Sequence, residues 1–368
     1  MIKYILERKG INIFLICRHL LAMLILTGIA GKTAGQNENS AYKVSILPVP
    51  TIGYSPETST YLGAVTLFTF RDKHDSITRT SNAKIKFTYT WNKQVIIESD
   101  WNYFFPEEKW FTRGILHYSK YPDLYYGIGF NTPDEGEVIF QSNRYIFDVD
   151  LLRLIQKNWF FGSGINYTNY SNVENQSDKI SYPELENESN LGLKAILLSD
   201  SRNNILSPSG GNYFEFINSF NFSSSFYYKT SLDYRRYFEW GELNKHLLAG
   251  RLYHSSIIGN PPFYDFNMIG GDQFTRGYYL GRFRDKNFST LQIEYRSPVL
   301  WRFGLAAFGG LSIIADGFQN VDNENIKPNA GVGLRFLTDK NEGTSLRIDY
   351  AIGVKNQSGF YISFGESF

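Results

Sequence analysis

The sequence predicts an all-β fold: a single transmembrane antiparallel β-barrel of about 16 strands. Three observations predict this fold: a hydrophobic period of two, an export signal at the N-terminus, and connections that alternate between short and long. The chain has 368 residues, a formal net charge of +1 and 17% aromatic residues. The near-neutral charge argues against a nucleic-acid partner. The only cysteine is Cys17, which excludes a disulfide framework.

Residues 1–35 have the pattern of a signal peptide. Basic residues come first, then the apolar run LLAMLILTGIA at 20–30, then small residues that suit cleavage. The alternatives are a buried helix or a membrane anchor, but a spanning helix needs about 20 apolar residues. We therefore expect export of the chain to the bacterial outer membrane, with 36–368 as one barrel domain.

Alternating segments fill the remainder of the chain. In AKIKFTYTW, Ile85, Phe87 and Tyr89 share one face, while lysines and threonines share the other. The segments STLQIEYRSPV, NAGVGLRFL and TSLRIDYAIGV alternate in the same way. A period of two means that the two faces of a strand meet different environments. In a membrane barrel the charged face would line a wet lumen and the apolar face would contact lipid. A soluble β-sandwich shows the same alternation.

The spacing of these segments predicts the order of the strands. They span 44–54, 60–71, 81–92, 94–105, 109–120, 138–155, 158–173, 188–200, 211–224, 226–240, 245–258, 288–300, 303–316, 327–338, 344–354 and 360–368. The long connections, 121–137, 174–187, 259–287 and 317–326, each follow an odd-numbered strand. They would therefore emerge on one side, as external loops do. Aromatic residues near strand ends, such as those at 110–111 and 159–161, fit interfacial girdles or cross-strand packing.

A long loop between the eleventh and twelfth strands contains GGDQFTRGYYLGRFRDKN, residues 270–287. Its glycines permit backbone conformations closed to other residues, and Arg276 offers a fork suited to a carboxylate. Glu294 lies on the charged face of the next strand and is the candidate partner. From these residues alone, a solvated surface loop is the simpler interpretation.

The loop and three other segments resemble the BamA/TamA family of outer-membrane barrels, the bacterial surface antigen superfamily. The family's Arg-Gly-aromatic signature matches Arg276, Gly277 and Tyr278, after the pair Gly270 and Gly271. The segment EYRSPV resembles the end of the family's twelfth strand, and FYISFGESF resembles its last strand, with Gly365 as the glycine. A turn motif in SDSRNNILSPSGGNYFEF matches as well, on the periplasmic side, with the residues Asp200, Arg202, Asn203, Pro208 and Gly210.

The resemblance implies a function in inserting or translocating protein or lipid at the outer membrane. It also implies that the loop folds toward the lumen, where Arg276 would pair with Glu294. Two departures stand out. No POTRA domain fits between Gln36 and the first strand, so an unidentified periplasmic or secreted protein is an expected partner, besides outer-membrane lipid. The thirteenth strand has Phe308-Gly309-Gly310 where the family often carries a lumen aspartate.

The closure of the barrel is predicted to be weak. Pro48 and Pro50 in the first strand cannot donate ladder hydrogen bonds, and the last strand, which ends at Phe368, is short and contains Gly365. A seam with few bonds would open sideways into lipid. The alternative is that both prolines lie in a periplasmic lead-in, where the seam does not need them.

The sequence offers little sign of catalysis. His254 and Ser255 suggest an esterase, but adjacent strand residues point to opposite faces, and no third member is evident. We expect no enzyme, no cofactor and no metal site. The alternatives to an insertion function are a passive or gated pore and a structural surface barrel.

Overall fold

The computed structural model describes residues 42–72, 78–177, 180–205, 207–241, 245–317, 319, 321–337 and 345–368. The predicted signal peptide and Cys17 lie outside these ranges. Sixteen of the described strands form one closed antiparallel barrel. Two further short strands form a separate hairpin inside the long connection between the eleventh and twelfth strands of the barrel. No helix in the described ranges is long and apolar enough to cross a membrane.

The strands follow each other around the barrel in chain order. Their bounds are β1 Tyr42–Ser55, β2 Ser59–Asp72, β3 Ser81–Thr90, β4 Val95–Phe104, β5 Trp110–Tyr125, β6 Val138–Gln156, β7 Trp159–Asn175, β8 Glu188–Asp200, β9 Gly211–Phe222, β10 Phe226–Trp240, β11 His246–Gly259, β12 Asn267–Ile269, β13 Phe283–Asp285, β14 Asn287–Arg296, β15 Phe303–Ala315, β16 Ile326–Leu337, β17 Ser345–Ile352 and β18 Ser358–Phe364.

The prediction of a barrel with 16 strands is confirmed. Most predicted strands begin and end within two residues of the observed ones. The twelfth predicted strand ends earlier than expected, at Arg296. The prediction that the last strand continues to Phe368 is wrong, because β18 ends at Phe364. The loop strands β12 and β13 were not predicted.

The two faces of the strands differ as the alternation requires. On β3, Ile85 and Phe87 are 51% and 48% exposed on the outside of the barrel. On β17, Arg347 and Asp349 are 2% and 0% exposed, because they face the interior. The inside-out arrangement, with apolar residues outward and charges inward, suits a barrel in lipid.

The end of the barrel with the short turns has an apolar interior. Phe111 and Phe160 belong to a buried cluster inside the wall of β4–β9, together with Phe104, Leu152, Ile196, Leu198 and Tyr213. Their strand neighbours Trp110 and Phe161 point outward and are 41% and 54% exposed. Only every second aromatic residue at these strand ends can therefore belong to an interfacial girdle.

Candidate functional site

The connection between β11 and β14, residues 260–286, enters the barrel, and we call it the lumen loop. It contains the β12–β13 hairpin, which pairs Asn267 with Asp285 and Ile269 with Phe283. Arg276 and Tyr278 near its tip are 1% and 0% exposed. A solvated surface loop would leave these side chains in water, so the structure places the tip among the lumen side chains.

Two glycines allow the tip to approach other backbone closely. Gly270 has φ +115°, and a Cβ there would lie 2.1 Å from the carbonyl oxygen of Tyr279. Gly277 has φ +107°, and its Cβ would lie 2.8 Å from the carbonyl carbon of Ile352. Both conformations are rarely adopted by other residues. The glycines of the sequence motif therefore fit a tightly packed turn against β17.

Arg276 lies between two buried carboxylates. Its Nη2 is 2.5 Å from Glu294 Oε2 on β14, and its Nη1 is 2.6 Å from Asp349 Oδ2 on β17. The guanidinium also lies over the ring of Phe308 on β15, with 3.4 Å between Cζ and the ring centroid. Charge-assisted hydrogen bonds are among the strong ones in proteins, so one side chain of the loop is held by three strands.

The two carboxylates belong to a larger network of charges on the lumen wall. Arg335 contacts both Asp349 (2.6 Å) and Glu294 (3.3 Å). Arg296 contacts Glu294 at 2.7 Å. The members are four arginines, Arg276, Arg296, Arg335 and Arg347, and four carboxylates, Asp272, Glu294, Asp349 and Glu366. The network is neutral when all members are ionised, which limits the cost of burying charges.

Backbone groups hold the tip as well. The amide of Gly277 donates to the hydroxyl of Tyr361 on β18 at 2.9 Å. The hydroxyl of Tyr278 donates to the Pro328 carbonyl at 2.7 Å and accepts from the Val354 amide at 2.9 Å. The motif residues Arg276, Gly277 and Tyr278 therefore all contact the wall between β14 and β18.

The lumen loop also contacts the barrel on the other side of the junction between β18 and β1. The amide of Leu280 donates to Glu57 Oε1, in the β1–β2 turn, at 2.8 Å. The hydroxyl of Tyr279 donates to Asp123 on β5 at 2.7 Å. Glu57 is buried, and this burial raises its pKa above the ordinary value, although the bond from Leu280 acts in the other direction. The loop thus contacts strands on both sides of the junction between β1 and β18.

That junction is the weakest pairing in the wall. Each of the 14 residues of β1 has a partner on β2. Between β1 and β18, the described residues contain one partner pair, Tyr54 and Ile362. Two side-chain contacts add to it: the Tyr61 hydroxyl donates to the Ile362 carbonyl at 3.4 Å, and the rings of Tyr54 and Phe360 lie 5.9 Å apart.

The C-terminal residues leave the wall and turn into the lumen. Gly365, at φ +81°, follows β18, and does not lie within it as the sequence suggested. Glu366 then contacts Arg335 at 2.9 Å. Phe368 is 4% exposed and packs in a cluster with Tyr237, Leu247 and Ala249. The chain end that would have extended the pairing with β1 is instead buried inside the barrel.

The two prolines lie in the part of β1 that has no partner on β18. Pro48 and Pro50 are within β1 and pair with Thr66 and Ala64 of β2. Both prolines therefore lie within the ladder between β1 and β2. If the register of Tyr54 and Ile362 were continued, residues 366 and 368 would face Pro50 and Pro48. Proline has no amide hydrogen to offer there, which agrees with a chain end that turns away.

The turn motif shapes the connection from β8 to β9. Asp200 binds Arg202 through two bonds of 2.9 Å. Asn203 Oδ1 accepts from the amides of Ser209 (3.0 Å) and Gly210 (3.1 Å). Pro208 is buried, and Arg202 lies over Tyr213, a member of the apolar cluster. These contacts fold the turn over the end of the barrel.

The residues considered for catalysis are not brought together. His254 Nδ1 is 2.9 Å from Ser289 Oγ on the outward side of the barrel, whereas Ser255 is fully buried on the lumen side. Two acids that share one face of β6, Asp148 and Asp150, both bind Lys194, at 2.5 and 2.6 Å, and so belong to an ion pair of the lumen wall. Within the described ranges, no group of three or more His, Cys, Asp or Glu residues is placed to hold a metal ion.

Sequence reasoning selected Arg276 and Glu294 but did not assign the other six members of the charge network. Arg347 and Asp349 stood on the charged face of TSLRIDYAIGV, and that alternation was the available signal. The thirteenth strand lacks the family's aspartate, as the sequence showed, and carries Phe308 beneath Arg276. Asp349, two strands further on, supplies the second carboxylate.

The fold and the lumen loop define a class of protein: a barrel of 16 antiparallel strands with an arginine-bearing loop buried in its lumen. Residues 76–368 match the model of the Omp85 superfamily domain. The chain therefore belongs to the Omp85 superfamily, whose β-barrels are outer-membrane proteins. The match confirms the resemblance inferred from the motifs.

Two solved structures are similar in fold. BamA from Haemophilus ducreyi lacking POTRA domains 1–3 has a TM-score of 0.57 at 12% identity, over 89% of this chain and 70% of that chain. CdiB from Acinetobacter baumannii has a TM-score of 0.59 at 11% identity, over 89% of this chain and 66% of that chain. No curated protein sequence matches this chain.

Proposed function

We propose that this protein inserts or translocates protein or lipid at the bacterial outer membrane, through a seam that opens between β1 and β18. The observation that carries the proposal is the single partner pair of that seam, beside a loop that contacts both of its sides. Membership of the Omp85 superfamily and the likeness to BamA and CdiB support it. Residues 1–35 would be the export signal and 36–368 the single barrel domain.

The physical basis is the unpaired edge of β1. Unsatisfied backbone groups cost several kcal/mol each in hydrocarbon, so an edge within the bilayer favours any strand that can pair with it. A substrate strand would supply the missing hydrogen bonds. The lumen loop would hold the two sides together between such events, with Arg276 as its anchor on the β14–β17 wall.

A reversible lock on the seam tests this proposal. Tyr54 and Ile362 are direct partners, and the only natural cysteine lies in the predicted signal peptide. The double variant Y54C/I362C should therefore form one disulfide across the seam. We expect cells that depend on this variant to lose outer-membrane protein or lipid, and to recover with a reductant.

The control is a disulfide across a fully paired junction. Leu62 and Tyr89 are partners on β2 and β3, and L62C/Y89C should leave function intact. Full function with the seam locked would exclude lateral opening. A passive or gated pore is the competing function, and planar-bilayer conductance separates the two: a barrel that holds its loop inside should show small, irregular openings, whereas a pore should conduct steadily.

A further inference from the structure

The outer wall contains a recess that the insertion mechanism does not use. It lies over β14–β18 and has a volume of about 530 Å³. Its lining includes Tyr295, Leu305, Ala307, Val332, Tyr350 and Phe360. Apart from tyrosine hydroxyls, the side chains that line it are apolar, so the recess suits an apolar occupant.

The strand register explains why the wall is hollow here. Tyr295 pairs with Ala307, Ala307 with Val332, Val332 with Tyr350, and Tyr350 with Phe360. These five residues form one row across β14 to β18. In this row the small side chains of Ala307 and Val332 lie between Tyr295 and Tyr350. One row further toward the long loops, Gly309 pairs with Ala330. Small side chains on β15 and β16 therefore form the floor, and large ones on β14 and β17 form the walls.

The recess faces the surroundings of the barrel and not the lumen. Leu305 and Val332 are 63% and 62% exposed, and Tyr350 is 51% exposed. On the same strands, Arg335 and Asp349 point inward and are buried. In an outer-membrane barrel the medium on the outward face is hydrocarbon, so the occupant comes from the bilayer.

The width of the recess favours an acyl chain. Neighbouring strands lie about 4.8 Å apart, so a floor of two strands is at most about 10 Å wide before the wall side chains are counted. A helix with its side chains measures about 10–12 Å and is too broad. A single acyl chain can lie along the strands between Tyr295 and Tyr350.

The neighbouring turn between β14 and β15 indicates which leaflet of the bilayer supplies the acyl chain. The β14–β15 connection continues from the floor of the recess at the end with the short turns, which is the periplasmic side of such a barrel. Its Leu300 and Trp301 are 71% and 72% exposed. Exposed tryptophan is typical of a membrane–water interface. The turn thus marks the headgroup level of the periplasmic leaflet, directly beside Leu305.

We propose that the recess over Ala307 holds one acyl chain of a phospholipid from the periplasmic leaflet. This inference rests on the outer-membrane placement, and it does not require the insertion function. The bound lipid lies beside the seam, because Phe360 belongs both to the recess and to the ring contact with Tyr54 on β1.

Native mass spectrometry after mild delipidation tests the inference. The full chain is reconstituted in vesicles of phosphatidylethanolamine and phosphatidylglycerol, extracted, and compared with A307F, which fills the recess. We expect severalfold lower retention of phospholipid in A307F, because the phenyl ring would take the space of the acyl chain and remove its packing contacts with the floor of the recess. The smaller substitution A307V should give an intermediate loss, and it keeps the test decisive if A307F folds poorly.

The matched control is A195F on β8. Ala195 is also outward-facing, since it alternates with Lys194 and Ile196 of the lumen side, but it lies on the opposite wall. A195F should retain phospholipid like the unmodified chain. Equal retention in A307F would overturn the proposal. So would lipid A or a polypeptide as the retained species from native membranes, because either would assign the recess to another occupant.

Discussion

The two edges of β1 are held in different ways. On one edge, each of its 14 residues pairs with β2. On the other, one residue pairs with β18, and the remaining connections are a tyrosine hydroxyl, a ring contact and the lumen loop. The first edge is closed by a backbone ladder, which requires the strands to separate residue by residue. The second is closed largely by side chains, which can be released individually.

The stability of the closure between β1 and β18 comes largely from the lumen loop. The lumen loop contacts Glu57 beside β1, Tyr361 on β18 and Ser367 after β18. It therefore acts as an internal brace, and its own attachment to the wall is the charge network around Arg276. Variants of that network, of the loop contacts and of the chain end should change the seam while the β1–β2 edge stays intact.

The largest effect is expected from R276E. The substitution would place a third carboxylate between Glu294 and Asp349, which are both fully buried. Breaking a buried ion pair typically costs about 3–5 kcal/mol, because it leaves uncompensated charge. We expect a fall in heat-resistant barrel on gels and a lower urea midpoint in vesicles. The control K109E alters an exposed pair with Glu107 and should cost about 1 kcal/mol or less. Unchanged folding in R276E would contradict the brace.

A smaller effect is expected from Y361F. The variant removes the acceptor of the buried Gly277 amide, and an unsatisfied buried donor costs about 1–3 kcal/mol. Hydrogen exchange should accelerate in residues 270–281, while the β1–β2 hairpin keeps its protection. Y350F is the control, since Tyr350 faces outward and is 51% exposed. Equal exchange in both variants would show that the loop is not held from the β18 side.

The strands were predictable because their chemistry is local. Each strand alternates between two unlike environments, so residues such as Ile85 and Lys84 reveal their faces without any knowledge of the fold. Glu294 was predictable for the same reason, since it lies on a charged face just after the loop. The short β12–β13 hairpin was missed because it is buried on both faces and shows no alternation.

The other residues of the site could not be predicted because they lie far from Arg276 in the sequence. Asp349 is separated from Arg276 by 73 residues, and the depth to which the loop descends decides which strand it meets. Glu366 was missed because the alternation of FYISFGESF was extended through Gly365. A glycine that turns the chain inward looks the same in sequence as a glycine within a strand.

In the variant G365A, we expect more residues to pair between β1 and β18. A Cβ at Gly365 meets nothing within 4 Å, so the substitution is opposed only by the backbone conformation at φ +81°. That strain costs about 1 kcal/mol or slightly more and favours an extended chain end, opposite Pro50 and Pro48. A disulfide in V49C/S367C should then form in G365A more than in its absence, because the turn at Gly365 otherwise carries residues 366–368 into the lumen. Equal crosslinking with and without G365A would mean that the glycine does not set the turn.

The smallest effect, and the one that isolates the β1 side of the brace, is expected from E57Q. Burial raises the pKa of Glu57, so the folded protein holds this proton more tightly than the unfolded chain does. The stability of the unmodified protein should therefore fall as the pH rises from the ordinary glutamate range through the raised pKa, by about 1.4 kcal/mol for each unit of the shift. Glutamine still accepts from the Leu280 amide but carries no charge. E57Q should match the unmodified protein in acid and exceed it at neutral pH, as measured by urea midpoints in vesicles. Parallel pH profiles for the two proteins would contradict this prediction, because they would show that the pKa of Glu57 is the same in the folded and the unfolded protein.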